Sequence, residues 1–109
     1  MAYTPVKMGQ AQVQDTATTI HTVPAVTTAL LRDMMICNVD SSAHTITVYL
    51  DPDGTTASDA TAILDAFSIP ANDFRHWSGY QVLEAAATLK AVADTSNVIT
   101  ITAAGIHVT

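Results

Sequence analysis

Residues Ile20 to Leu50 read I-H-T-V-P-A-V-T-T-A-L-L-R-D-M-M-I-C-N-V-D-S-S-A-H-T-I-T-V-Y-L. Three extended segments stand there back to back, separated only by turn chemistry. Within His44–Leu50, Ile46, Val48 and Leu50 share one face, and Thr45, Thr47 and Tyr49 share the other. That period of two belongs to a strand with one face buried and one wet. Ahead of it, N-V-D-S-S-A (Asn38–Ala43) carries the Asn, Asp and Ser of a hairpin turn. Ala29–Val39 does not alternate cleanly, because Asp33 falls among Leu31, Met35, Cys37 and Val39. A bulge near Arg32-Asp33 would switch the faces. The alternative is a strand buried on both sides with Arg32 and Asp33 at its exposed end.

The same vocabulary extends outward. Thr18–Val23 is a short strand ended by Pro24, which has no N–H to donate. Asp51-Pro52-Asp53-Gly54 is a turn, since Pro sets the first torsion and Gly accepts positive φ. After it, Ser58 could cap a helical turn, or an irregular strand could run through Ile63, Phe67 and Ile69. Pro70–Asp73 turns again. Short strands follow at Phe74–Trp77, Tyr80–Glu84, Thr88–Ala93 and Val98–Thr102, and Gly105 interrupts the pattern before Ile106 and Val108. Seven or eight short strands at this spacing predict an all-β chain, an antiparallel β-sandwich of jelly-roll or immunoglobulin-like order. Residues 1–15, polar and Gln-rich, are expected as an extended N-terminal arm, and residues 16–109 as a single sandwich domain.

Composition narrows the function. With 109 residues, 49% of them hydrophobic, the chain suits one domain with a true core. Only 13% are charged, and Thr and Ala fill the gap. Such a surface suits contact with other proteins, although Thr also simply favours strands. The net charge is −6, and the four basic residues Lys7, Arg32, Arg75 and Lys90 are scattered. Nucleic-acid binding needs clustered Lys and Arg, so no nucleic-acid partner is expected. The apolar runs fall short of the roughly 18 residues that span a bilayer, so no membrane partner is expected. The opening residues show no signal-peptide core, which suggests synthesis without export. Cys37 is the only cysteine and reads as a buried, inert thiol.

Candidate chemistry is sparse. Asp51, Asp53 and the later Asp59 resemble part of a calcium loop but lack the remaining acidic ligands of that motif, so a plain turn is the simpler reading. Asp73, His76 and Ser78 are the residue types of a hydrolase triad, but three positions so close on one strand do not line up for proton relay. His21, His44, His76 and His107 are not at metal-ligand spacing. No enzymatic activity, cofactor or metal is therefore expected. Phe74, Trp77 and Tyr80 form the aromatic cluster, which is either a hydrophobic corner between sheets or an exposed contact for a partner or a glycan.

Several segments, in order, carry a resemblance. They are Y-T-P-V-K-M-G-Q-A-Q (Tyr3–Gln12), I-H-T-V-P-A (Ile20–Ala25), I-C-N-V-D-S-S-A-H-T-I-T-V-Y-L (Ile36–Leu50), S-I-P-A-N-D (Ser68–Asp73) and V-L-E-A (Val82–Ala85). Together they resemble small β-sandwich virion proteins of tailed bacteriophages, either capsid decoration (cement) proteins or tail-associated ones. Val26 and Ala86-Ala87 depart from that pattern, standing where such sequences usually carry Gly or Gly-Asp turns. The resemblance implies a non-enzymatic structural protein located in the virion after assembly in the host cytoplasm. It implies a homo-oligomer whose partners are the major capsid protein or other virion proteins. A tail, neck or fibre component is the neighbouring alternative, and a carbohydrate-binding adhesin module using Trp77 and Tyr80 is the alternative of another class.

Overall fold

A computed structural model describes residues 2–52 and 56–109. Its eight strands are β1 (Tyr3–Val13), β2 (Thr18–Thr22), β3 (Thr28–Asn38), β4 (His44–Asp51), β5 (Ala62–Ile69), β6 (Phe74–Leu83), β7 (Thr88–Ala93) and β8 (Ile99–Val108). They form two antiparallel four-stranded sheets, ordered β1-β8-β3-β6 and β2-β7-β4-β5. The expected all-β sandwich is therefore present. The strand order is that of a jelly roll; an immunoglobulin-like sandwich would divide its strands differently.

The chain crosses between sheets at every connection except β4–β5. This corrects the hairpin expected at Asn38–Ala43. β3 pairs with β6 and β8, and β4 with β5 and β7, so that turn carries the chain from one sheet to the other. The reason is that β3 and β4 each bury one face and meet most favourably across the core rather than side by side.

Residues 1–15, expected as an arm, hold β1 instead. The segment is extended, but it pairs along its length with β8 and places Met8 and Val13 in the core. Phe74–Trp77 and Tyr80–Glu84 are halves of one strand, β6, and Gly105 lies inside β8 rather than ending it. A Cβ at Gly105 would run into the Leu30 carbonyl and the Met8 methyl. Glycine there lets two strands approach closely. Downstream of the 51–54 turn, a single 3₁₀ turn at Asp59–Thr61 leads directly into β5, so both alternatives for that stretch contribute.

Of the two readings of Ala29–Val39, the bulge at Arg32-Asp33 is the one present. The register of β3 shifts between Leu31 and Asp33 against both its neighbours, and that of β1 shifts between Lys7 and Gly9 at the same level. The shift switches the buried face of β3 from Ala29 and Leu31 to Met34, Ile36 and Asn38. Between the sheets, these residues meet Ile46 and Val48 of β4, Leu89 and Ala91 of β7, and Ile99 and Ile101 of β8, all fully buried. Each such large side chain contributes about 1.5–3 kcal/mol.

The connections gather at two ends. One end carries β1–β2, β3–β4, β5–β6 and β7–β8; we call it the turn end. The other, the terminal end, carries the chain termini with β2–β3, β4–β5 and β6–β7.

Candidate functional site

The three aromatic residues lie on β6, the edge strand of its sheet, but not on one surface. Trp77 stands opposite the buried Met34, points inward and packs against the core. It lines a small cleft of about 70 Å³ with Ile36, Leu64, Phe67, Arg75 and His76. This is the hydrophobic-corner reading for Trp77. Phe74 stands opposite Cys37 and Tyr80 lies in the bulge, and both are exposed. Six residue steps of strand separate them, roughly 20 Å of extended chain. One glycan ring cannot stack on all three.

Tyr80 has a partner of its own. The Arg32 guanidinium lies over its ring at 5.7 Å, and Arg32 Nε donates to the Gly79 carbonyl at 3.0 Å. The two bulges therefore hold a cation–π pair on the outside of the sheet. Beside it, His76 Nε2 donates to Asp33 Oδ2 at 2.6 Å. Asp73, the acid of the unlikely triad, is occupied elsewhere. It accepts from the Phe74 N–H and from Arg75 Nη1 at 2.9 Å, which together hold its carboxyl below the ordinary range. Cys37 is half-buried on the outer face rather than fully enclosed.

Of the three acids considered for a cation loop, Asp53 lies outside the described residues. Asp51 is buried and already neutralised. Thr61 Oγ1 donates to its Oδ1 at 2.5 Å, and Lys90 Nζ lies 3.2 Å from Oδ2. Lys90 approaches Oδ2 off the hydrogen-bond direction, so the contact is an ion pair without a hydrogen bond. Among the described residues, no group of three His, Cys, Asp or Glu could hold a metal ion. None of their helices is long and apolar enough to cross a membrane.

The histidines act in pairs and clamps that spacing along the chain does not reveal. His44 donates to Asp40 Oδ2 at 2.7 Å and to Asp94 Oδ1 at 2.8 Å, joining the β3–β4 and β7–β8 turns. The Asp40 carboxylate raises the His44 pKa, with Asp94 adding to it, and His44 in turn lowers Asp40. At the terminal end, His21 of β2 and His107 of β8 face each other across the sandwich, Nε2 to Nε2 at 3.0 Å. Burial, then the neighbouring His107, lowers the His21 pKa.

Asn38, read from the sequence as part of a turn, is a knot. Fully buried, its Nδ2 donates to the carbonyls of Ser42, Ile69 and Pro70, and its Oδ1 accepts from the Asp40 N–H. The local signal was the Asx-turn pattern to Asp40; the reach to Ile69 and Pro70 had none. Val26 and Ala86, the two departures from the phage-like pattern, lie in the left-handed region at φ 56° and 68°. Val26 is also 91% exposed. A β-branched residue at positive φ is strained.

No protein-family model matches the chain, and no curated protein matches it in sequence. Among solved structures, a chain in the structure of infectious bursal disease virus, Gx strain, is similar over 97% of this chain, with a TM-score of 0.51 at 12% identity. This chain spans 30% of that one. At so low an identity the likeness concerns the fold: an eight-stranded sandwich that also occurs within a virus structure.

Proposed function

We propose that this protein is a structural component of a bacteriophage virion, a small jelly roll that binds the outside of the head and reinforces it. The observation that carries the reading is the strand order β1-β8-β3-β6 over β2-β7-β4-β5, in a fold similar to part of a chain from a virus structure. The ordered phage-like segments from Tyr3 to Ala85 support the tailed-phage assignment. The role is mechanical rather than catalytic. A rigid, Thr- and Ala-rich sandwich with 13% charged residues would cover seams between subunits of the major capsid protein. Individually weak contacts would suffice, because many copies act together.

Quantitative mass spectrometry of purified particles tests this. A head-binding protein is present at on the order of hundreds of copies, as multivalent coverage requires. A copy number of about a dozen or fewer would move the protein to the tail, neck or fibre, and its absence from particles would overturn the virion role. Particles lacking it should lose genome at lower temperature and lower salt than complete ones; equal resistance would refute the reinforcing role. The adhesin reading is left with Tyr80 without Trp77, since Trp77 faces the core.

A further inference from the structure

We propose that the outer face of the β1-β8-β3-β6 sheet is the surface on which a second copy of this chain docks, forming a twofold dimer. The inference rests on the composition of that face and stands whether or not the protein is a virion component.

The register aligns one apolar row across all four strands: Pro5 of β1, Ile106 of β8, Leu30 of β3 and Val82 of β6. Tyr3 and Val108 form the next row toward the terminal end. Val82 is 48% exposed, Tyr80 60% and Tyr3 66%. The most exposed large apolar side chains among the described residues are Tyr3, Val26, Met35, Val39, Phe67, Phe74, Tyr80 and Val82, and Tyr3, Met35, Phe74, Tyr80 and Val82 all belong to this face. Toward the turn end the rows become polar, with Gln10, Thr102 and His76 around Met35. An apolar patch bordered on its turn-end side by charged and polar side chains has the make-up of a protein interface, and the Tyr80–Arg32 pair supplies the residue types that dominate binding.

Two quantities select a second copy as the occupant. The first is area. Four strands of ten or eleven residues form the face. At about 4.8 Å between strands and about 3.3 Å per residue, that is roughly 600 Å². Two such faces bury roughly 1,200 Å², above the approximately 1,000 Å² expected of a biological interface. The second is charge. The chain carries a net charge of −6, so two copies repel over most of their surface. On this face, among the described residues, Asp33 is the only acid and Lys7 and Arg32 are basic. The dimer forms where the acidic charge that drives the self-repulsion is least.

Sheets that pack face to face align their strands to within about 30°. A twofold axis along the strands, between β8 and β3, lays β1 over the partner subunit's β6. Pro5 then meets the partner's Val82, Ile106 meets the partner's Leu30, and Lys7 lies beside the partner's Asp33.

Sedimentation velocity over a concentration series decides the matter. The unaltered protein should show a monomer–dimer equilibrium. Val82→Glu should weaken it about tenfold or more with an unchanged far-ultraviolet circular dichroism spectrum. Thr19→Glu, on an exposed position of the other sheet, should leave it unchanged. Should Val82→Glu fail to fold, Pro5→Glu at the sheet edge takes its place. Lys7→Glu should weaken the dimer, and adding Asp33→Lys should restore it. The proposal is overturned if the protein is monomeric up to about 1 mM, the weak end of specific association. It is equally overturned if Thr19→Glu dissociates the dimer and Val82→Glu does not.

Discussion

The two ends of the sandwich are held by different means. At the turn end, polar side chains lace the connections to one another. Asn38 ties β3–β4 to β5–β6, His44 ties β3–β4 to β7–β8, and Gln14 Nε2 reaches Asn97 Oδ1 at 2.8 Å to tie β1–β2 to β7–β8. At the terminal end the ties are fewer and more costly to break. They are a buried ion pair between Asp51 and Lys90, a histidine pair that can share only one proton between its facing nitrogens, and two connections that turn through Val26 and Ala86 at positive φ. The turn end is built for order, whereas the terminal end keeps strain and exposed apolar surface that order alone does not require.

Six substitutions probe that difference, in descending order of effect. Ile46→Asp, in the core shared by both ends, should unfold the domain outright; a melting temperature near that of the parent would refute the core assignment. Lys90→Met leaves the buried Asp51 carboxylate without its counter-charge and should cost about 3 kcal/mol in chemical denaturation. Asn38→Ala removes donors from three carbonyls and should cost about 2–3 kcal/mol. If Asn38→Ala exceeds Lys90→Met, the turn end is the more critical of the two. Val26→Gly relieves the positive φ and should raise stability by about 1 kcal/mol; a loss would mean that Val26 packs favourably where it stands.

The smallest effect is the most discriminating, because the two ends should respond to pH with opposite sign. The His44 pKa is raised, so its clamp contributes fully below 6.5 and fades as pH climbs through the raised value. The Asp40 pKa is lowered, so its share is present above 3.8 and lost in stronger acid. His44→Gln should therefore lower the melting temperature most between 3.8 and 6.5 and least in alkali. The His21 pKa is lowered, so folding favours the neutral ring and stability falls as pH drops below 6.5. The residues registered beside that pair, Thr4, Ala29 and Leu89, bring no charge to offset it. His21→Gln should flatten the acid-side loss. Melting curves across pH that shift alike for both variants would remove the distinction.

Much of the turn end was legible in the chain. N-V-D-S-S-A and P-A-N-D announce turns because Asn, Asp and Ser bond their own backbone. The ties at either end were not, since they join residues far apart in sequence: Asn38 to Ile69, His44 to Asp94 and Gln14 to Asn97 at one, His21 to His107, Asp51 to Lys90 and Val23 to Ala86 and Ala87 at the other. The candidate site divided in the same way. Phe74 and Tyr80 are exposed, but Trp77 went to the core, because it stands three residues from each of them and alternation along the single strand β6 turns it to the opposite face.

The sequence by itself determined where most strands run and, where alternation is clean as in His44–Leu50, which face is buried, because a period of two is a local property of an extended backbone. It also located the irregularity at Arg32-Asp33, since a lone acid out of phase cannot stay on an apolar face, and the strand pairing made it a bulge. The tertiary structure decided the partners. Tyr3–Val13, polar and weakly patterned, reads as an arm, and only its pairing beside β8 makes it the edge of a sheet. Strand order, the crossing of the Asn38–Ala43 turn between sheets and the apolar row from Pro5 to Val82 all depend on pairings between distant segments. Those pairings are chosen by how the buried faces fit together, not by any one segment's own pattern.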